Sequence, residues 1–176
     1  MARTRDFDID QATDRAVRVF WTRGYAATTV RQLCTAMKIN IGSFYAAFGS
    51  KQACFRRALA RYAATQAVPR EPSPAAIRAW FDVVVDPART PRGCLLVGSA
   101  VEAPLLDRRS RAAVQATLAA VEDFFRRSLA AGGHDPDGAP LLASTVTSIH
   151  VMARAGVPAP ALRALADRAL AAAGLA

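Results

Sequence analysis

This sequence is short of the features that would place it in a membrane, outside the cell or among enzymes. No apolar run approaches the ~20 residues needed to cross a bilayer. The opening MARTRDFDID has no apolar core of the kind a secretory signal carries. Cysteine is scarce, with three residues at 34, 54 and 94, an odd and scattered set that makes neither a disulfide framework nor a zinc spacing. A cytoplasmic setting is therefore expected. Histidine occurs only as His134 and His150. There is no phosphate-cradling glycine loop and no Ser/His/Asp order, so the reading is of a non-enzyme with no cofactor and no metal. β-Branched runs are short. Val83-Val84-Val85 is the only cluster favouring a strand, and it continues a helical pattern, so the expected fold is all-α.

The most informative scarcity is of acid. Between Arg15 and Arg61 the charged residues are Arg15, Arg18, Arg23, Arg31, Lys38, Lys51, Arg56, Arg57 and Arg61, with no Asp or Glu. The first 65 residues hold eleven basic and four acidic side chains, net +7 of the whole chain's +9. One-signed charge on a compact unit repels itself and fits a polyanionic partner, because each neutralised phosphate releases counterions. What remains is ordinary globular composition: 52% apolar and 21% charged residues, enough for a hydrophobic core.

The basic segment also carries a pattern. Val30, Leu33, Cys34 and Met37 are apolar at i, i+3, i+4 and i+7, and Thr29 with Gln32 has the spacing of a capping box. Asn40 is a good cap for a second helix through about Phe48. Gly49 and Ser50 end it, and a further helix opens at Lys51. A helix over residues 10–23 precedes them, with Ala12, Ala16, Val19 and Phe20 on its core face. Helix, tight turn, helix is the helix-turn-helix layout, whose second member enters the major groove by its N-terminal residues.

Gly24-Tyr25, Thr28-Thr29-Val30, Gly42-Ser43-Phe44-Tyr45, Phe48 and Ser50-Lys51 together resemble the DNA-binding domain of the TetR/AcrR family of bacterial regulators, over roughly residues 9–62. The resemblance implies an all-α homodimer on a palindromic double-stranded operator, most often a repressor, released by a small molecule in its C-terminal domain. Lys38 stands where the family often has Gly, and Ala47 where it often has His. The first departure asks a non-glycine residue to hold a strained turn. Thr29 and Arg31 are expected near a phosphate. Ile41, Gly42 and Ser43, with Lys38, are the residues expected near base edges. Tyr45 matches the family's phosphate-contacting aromatic. Lys51, at a helix start, is expected to hold another phosphate. Phe44 and Phe48 should pack inward, and Arg3 and Arg5 form a candidate minor-groove arm.

VPREPSP at 68–74 is the clearest boundary. It suggests a DNA-binding domain over 1–66, with a linking fourth helix, and a helical effector-binding and dimerisation domain over 67–176. About nine helices are expected in all. The later ones cover about 73–85, 94–103, 108–131, 139–155 and 160–173, with a loop at 132–138. The last two, striped by Leu142, Val146, Ile149 and Ala153 and by Leu162, Leu165 and Ala169, are expected to form a four-helix bundle with a second subunit. Effector candidates are Trp80, Phe81, Val84, Cys94, Glu102, Phe124, Phe125, Ile149 and His150; their chemistry suits an apolar or aromatic molecule. Glu102, an acid in an apolar helix, is expected to face an arginine or a ligand, the arginine being favoured. His150 is expected to be buried with one hydrogen-bond partner. The alternative function is a thiol sensor at Cys94, which begins a helix with Arg89 and Arg92 near in sequence and needs no ligand pocket.

Overall fold

The computed structural model describes residues 7–65, 69, 71–89 and 93–176. Arg3, Arg5 and Arg92 lie outside the described residues, as do parts of the proline-rich boundary. Among the described residues there are nine α-helices, two short 3-10 turns and no strand. In order the helices are α1 (Ile9–Arg23), α2 (Val30–Met37), α3 (Ile41–Phe48), α4 (Lys51–Thr65), α5 (Pro74–Val85), α6 (Leu95–Val101), α7 (Arg108–Ala131), α8 (Ala139–Arg154) and α9 (Ala159–Ala172). No helix among the described residues is long and apolar enough to cross a membrane.

Capping explains most of the starts. Asp8 accepts from the amides of Asp10 and Gln11 and begins α1 before the Asp10 expected from sequence. Thr29 and Gln32 close a reciprocal capping box on α2, Asn40 caps α3, and Ser73 with Pro74 opens α5. Asp107 accepts from the Ser110 amide at 2.7 Å at the head of α7. That bond, above all, holds its carboxyl below the usual range.

The chain divides into two compact units. The first holds α1–α4 and residues 98–115; the second holds α5, residues up to 97, and everything from 116 onward. Both α6 and α7 therefore begin in one unit and finish in the other.

In the first unit Phe20, Phe44 and Phe55 are fully buried. Phe55 meets Phe20 edge-on at 4.9 Å and Tyr25 at 4.8 Å. Thr13, not Val19, joins Ala12, Ala16 and Phe20 on the buried face of α1, because its hydroxyl bonds back to the Ile9 carbonyl. Arg61 binds Asp14 at 2.7 Å and Arg57 reaches Asp10 at 3.4 Å, joining α4 to α1. Such exposed pairs are screened by solvent and add little, but they occupy two of the acids at the start of α1.

In the second unit α5, α7, α8 and α9 share one core that includes Phe81, Phe124, Phe125, Leu142, Ile149 and Leu162. This corrects the expected bundle seam. Leu142, Val146, Ile149, Leu162 and Ala169 are buried inside their own chain, with Ala153 and Leu165 packed against them. The solvent side of α8 carries a different row, Leu141, Ser144, Ser148, Val151 and Ala155, spaced 3-4-3-4.

Lys38 is the one non-glycine residue with positive φ among the described residues, at φ 58°, ψ 43°. Its amide bonds the Thr35 carbonyl and that of Ile39 bonds Cys34, the paired closure of a helix that glycine usually makes. The departure seen in the sequence is thus accommodated with the left-handed turn intact. Lys38→Gly is expected to raise stability by about 0.5–1 kcal/mol, read as a higher urea midpoint.

Candidate nucleic-acid interface

α3 has two unlike faces. Phe44 and Phe48, four apart, are buried and stack on each other at 5.3 Å, as the sequence leads one to expect. Ile41 is 53% and Tyr45 51% exposed, and Gly42 lies beside them in the open. A large aliphatic and an aromatic side chain held in water are unfavourable unless something covers them. A Cβ at Gly42 would meet only Asn40 Oδ1, at 3.4 Å, so internal packing does not demand glycine.

The flanking residues suit phosphate. Arg31 is exposed in the first turn of α2, Lys38 is exposed in the turn before α3, and Thr29 is exposed with its side chain tied into the cap. Ser43 is half-buried and its amide is held by Asn40 Oδ1 at 2.7 Å. Lys51 opens α4 with its Nζ 4.3 Å above the Tyr25 ring. Burial draws its ammonium pKa down, while Glu102 acts in the opposite sense. Arg15, one of the basic run, is turned inward to the Met37 carbonyl at 2.9 Å and closes the C-terminus of α2.

Glu102 corrects the sequence reading. Among the described residues it pairs with no arginine. The last turn of α6 belongs to the first unit, and the carboxylate accepts the backbone amides of Tyr25 at 2.6 Å and Ala26 at 3.0 Å. Close by in sequence, Asp107 pairs with Arg56 of α4 at 2.6 Å. An isolated acid in an apolar run was the only sign of this; partners 76 and 77 residues away leave no local trace.

The other effector candidates sit in the second unit. Trp80 lies 5.1 Å from Phe124 and 5.4 Å from Phe125, and Phe81, Val84 and Ile149 belong to the same core. His150 is buried in that unit, as expected, and its Nδ1 has no hydrogen-bond partner. Burial pushes its pKa down to about 4. Cys94 is half-buried, whereas Cys34 and Cys54 are buried. Burial raises both of those thiols, Cys54 to about 12, so they stay protonated and behave as small apolar groups. No group of three or more potential metal-binding side chains gathers among the described residues.

Residues 12–58 match the profile of bacterial regulatory proteins of the tetR family. The chain is 40% identical over 60 residues to the HTH-type transcriptional repressor ComR of Escherichia coli K12, and 40% identical over 67 residues to the HTH-type transcriptional repressor BdcR of the same strain. Those matches take in 34% and 38% of this chain but only 29% and 34% of the two repressors. Likeness over the full length comes from a solved structure. A cysteine mutant of the TetR family transcriptional regulator CifR, complexed with 26-bp double-strand operator DNA, superposes with a TM-score of 0.82 and 33% identity. That superposition covers 97% of this chain and 99% of CifR. Identity sustained across nearly the whole of both chains, headpiece and helical remainder alike, establishes that this chain belongs to the TetR family of bacterial transcriptional regulators, which are not enzymes.

Proposed function

We propose that the protein is a repressor that binds a palindromic operator as a homodimer and is released by a small apolar or aromatic effector. The observation that carries the reading is the exposed face of α3, where Ile41, Gly42 and Tyr45 stand open beside Arg31 and Lys38. Ile41, Gly42, Ser43 and Lys38 approach base edges. Thr29, Arg31, Tyr45 and Lys51 hold phosphates, Lys51 by swinging off the Tyr25 ring. Two such headpieces enter successive major grooves about 34 Å apart. The 26-bp operator duplex bound by CifR supports a duplex partner of that kind.

The effector is received by the aromatic cluster of Trp80, Phe81, Phe124 and Phe125, with Val84 and Ile149 in the same core and His150 next along α8. Because α6 and α7 each run through both units, a change in their setting is passed on by the chain itself. Release then requires that the effector favour one setting over the other, since only differential affinity moves such an equilibrium. Thiol sensing at Cys94 is the second reading, favoured by its being half-buried while the other two thiols are buried.

Titration with duplexes from the gene's own promoter region, at several salt concentrations, tests the proposal. An inverted repeat should be bound at least about 1,000-fold more tightly than random duplex. Tyr45→Ala and Lys51→Ala should each weaken binding to every duplex and reduce the salt slope by about 0.9 per phosphate lost. Unchanged slopes would remove both residues from the interface. Blocking thiols before the titration separates the two readings, since only the second predicts release by the reagent alone.

A further inference from the structure

The carboxylate of Glu102 occupies a cradle built for it. Its two oxygens take one amide each from Tyr25 and Ala26. Gly24 completes the cradle: a Cβ there would lie 2.9 Å from both carboxylate oxygens, and its φ of +80° is one that side chains rarely adopt. The same few residues make the bend between α1 and α2. The Gly24 carbonyl receives the Thr28 hydroxyl at 2.6 Å, and Thr29 then caps α2. The Tyr25 ring lies under Lys51, whose ammonium feels the Glu102 charge. One acid from outside the helix-turn-helix segment thus holds the bend that aims the first turn of α2, the tyrosine beneath Lys51 and, through Thr29, the start of the phosphate-facing surface. Asp107, five residues further on, fixes Arg56 on α4 from the same segment.

We infer that Glu102 is a positioning residue for operator binding: its carboxylate locks the Gly24–Ala26 bend in the DNA-competent form. This rests on the repressor reading above and names the atoms through which that reading acts. The carboxylate touches no DNA. Its two bonds are charge-assisted and so stronger than amide–carbonyl bonds, and loss of that acceptor leaves two backbone donors to find water.

The inference has a signature of opposite sign to the simple electrostatic effect. Removing a negative charge beside a DNA-binding surface, by itself, tightens binding and steepens its salt dependence. Loss of a positioning group weakens it. Glu102→Gln keeps the shape, removes the charge and leaves one acceptor for two donors. In full-length protein it is expected to bind the inverted-repeat duplex about tenfold more weakly, while random duplex is bound as before or more tightly. In amide NMR spectra the Tyr25 and Ala26 signals should lose their exchange protection in the variant while the rest of α1 and α4 keeps theirs. Equal or tighter binding of the inverted repeat by Glu102→Gln overturns the inference, as does a lowered melting temperature with unchanged affinity. Should Glu102→Gln fail to fold, Glu102→Asp, which keeps the charge but not the reach to both amides, is read by the same criteria. Wild-type protein that does not distinguish the inverted repeat from random duplex contradicts the repressor reading itself, a different result from a wild type that does and a variant that matches it.

Discussion

With Val151 replaced by Arg, the protein is expected to run as a monomer by light scattering at micromolar concentration and to lose at least about 100-fold in operator affinity. The outward row of α8, Leu141, Ser144, Ser148, Val151 and Ala155, has the heptad spacing of a helix-pairing seam and carries no charge. Leu141 and Val151 are 44% and 50% exposed, apolar ends on either side of two small serines that allow close approach. α9 presents Ala161, Ala164, Arg168 and Ala171 to solvent at a 3-4-3 spacing, with Arg168 as the one charge in that row. In a two-fold interface the same patch meets itself, so one Arg per chain brings two like charges into one apolar seam. The substitution is on the surface, and the monomer should keep its melting temperature to within a few degrees. The loss of affinity follows because two linked headpieces share one binding event, whereas separate ones each pay for theirs. A Val151→Arg protein that stays dimeric would show that this row is not the seam.

The second large effect is on acid stability. His150 is buried with no partner for Nδ1, and burial brings its pKa down to about 4. In the unfolded chain the imidazole titrates near its ordinary value of about 6.5. Between those values the unfolded state takes up a proton that the folded state refuses. Stability is therefore whole above about pH 6.5 and declines as pH falls, by about 3 kcal/mol on reaching pH 4. Asp14 and Asp107 also have depressed pKa values, Asp14 chiefly through its bond from Arg61. Their contribution is present above the ordinary carboxylate range and lost below it, so the window from pH 6.5 to 4.5 belongs to the histidine. Urea midpoints measured across it should fall steeply for wild type and stay nearly flat for His150→Leu. Parallel curves would show that His150 takes up its proton in the folded state as readily as in the unfolded one.

Local chemistry was legible in the sequence, and partners across distance were not. Thr29 with Gln32 and Asn40 announced their helices because a cap and its amide are at most three residues apart. Phe44 and Phe48 announced the buried face of α3 by their spacing. Lys38 was visible as a misfit in a turn, and the turn is indeed left-handed. The stripes on α8 and α9 were seen, but periodicity does not say whether an apolar face meets its own chain or another; Leu142 and Ile149 turned out to be internal core. Asp14 with Arg61, 47 apart, and Glu102 with Tyr25, 77 apart, come together only through the fold. Glu102 was marked as unusual for being an acid among apolar neighbours, yet nothing near it in the chain named two backbone amides as its partners.

The headpiece is not a continuous stretch of sequence, since residues 98–115 complete it. A fragment cut at the proline-rich boundary would carry every side chain proposed to face bases yet lack both Glu102 and Asp107. On the inference above, chimeras that graft this helix-turn-helix onto a relative's body carry a compatibility condition: the recipient must supply a carboxylate that reaches the Tyr25 and Ala26 amides. If Glu102 positions the headpiece as inferred, exchange of DNA specificity for this chain is constrained at a position away from the bases.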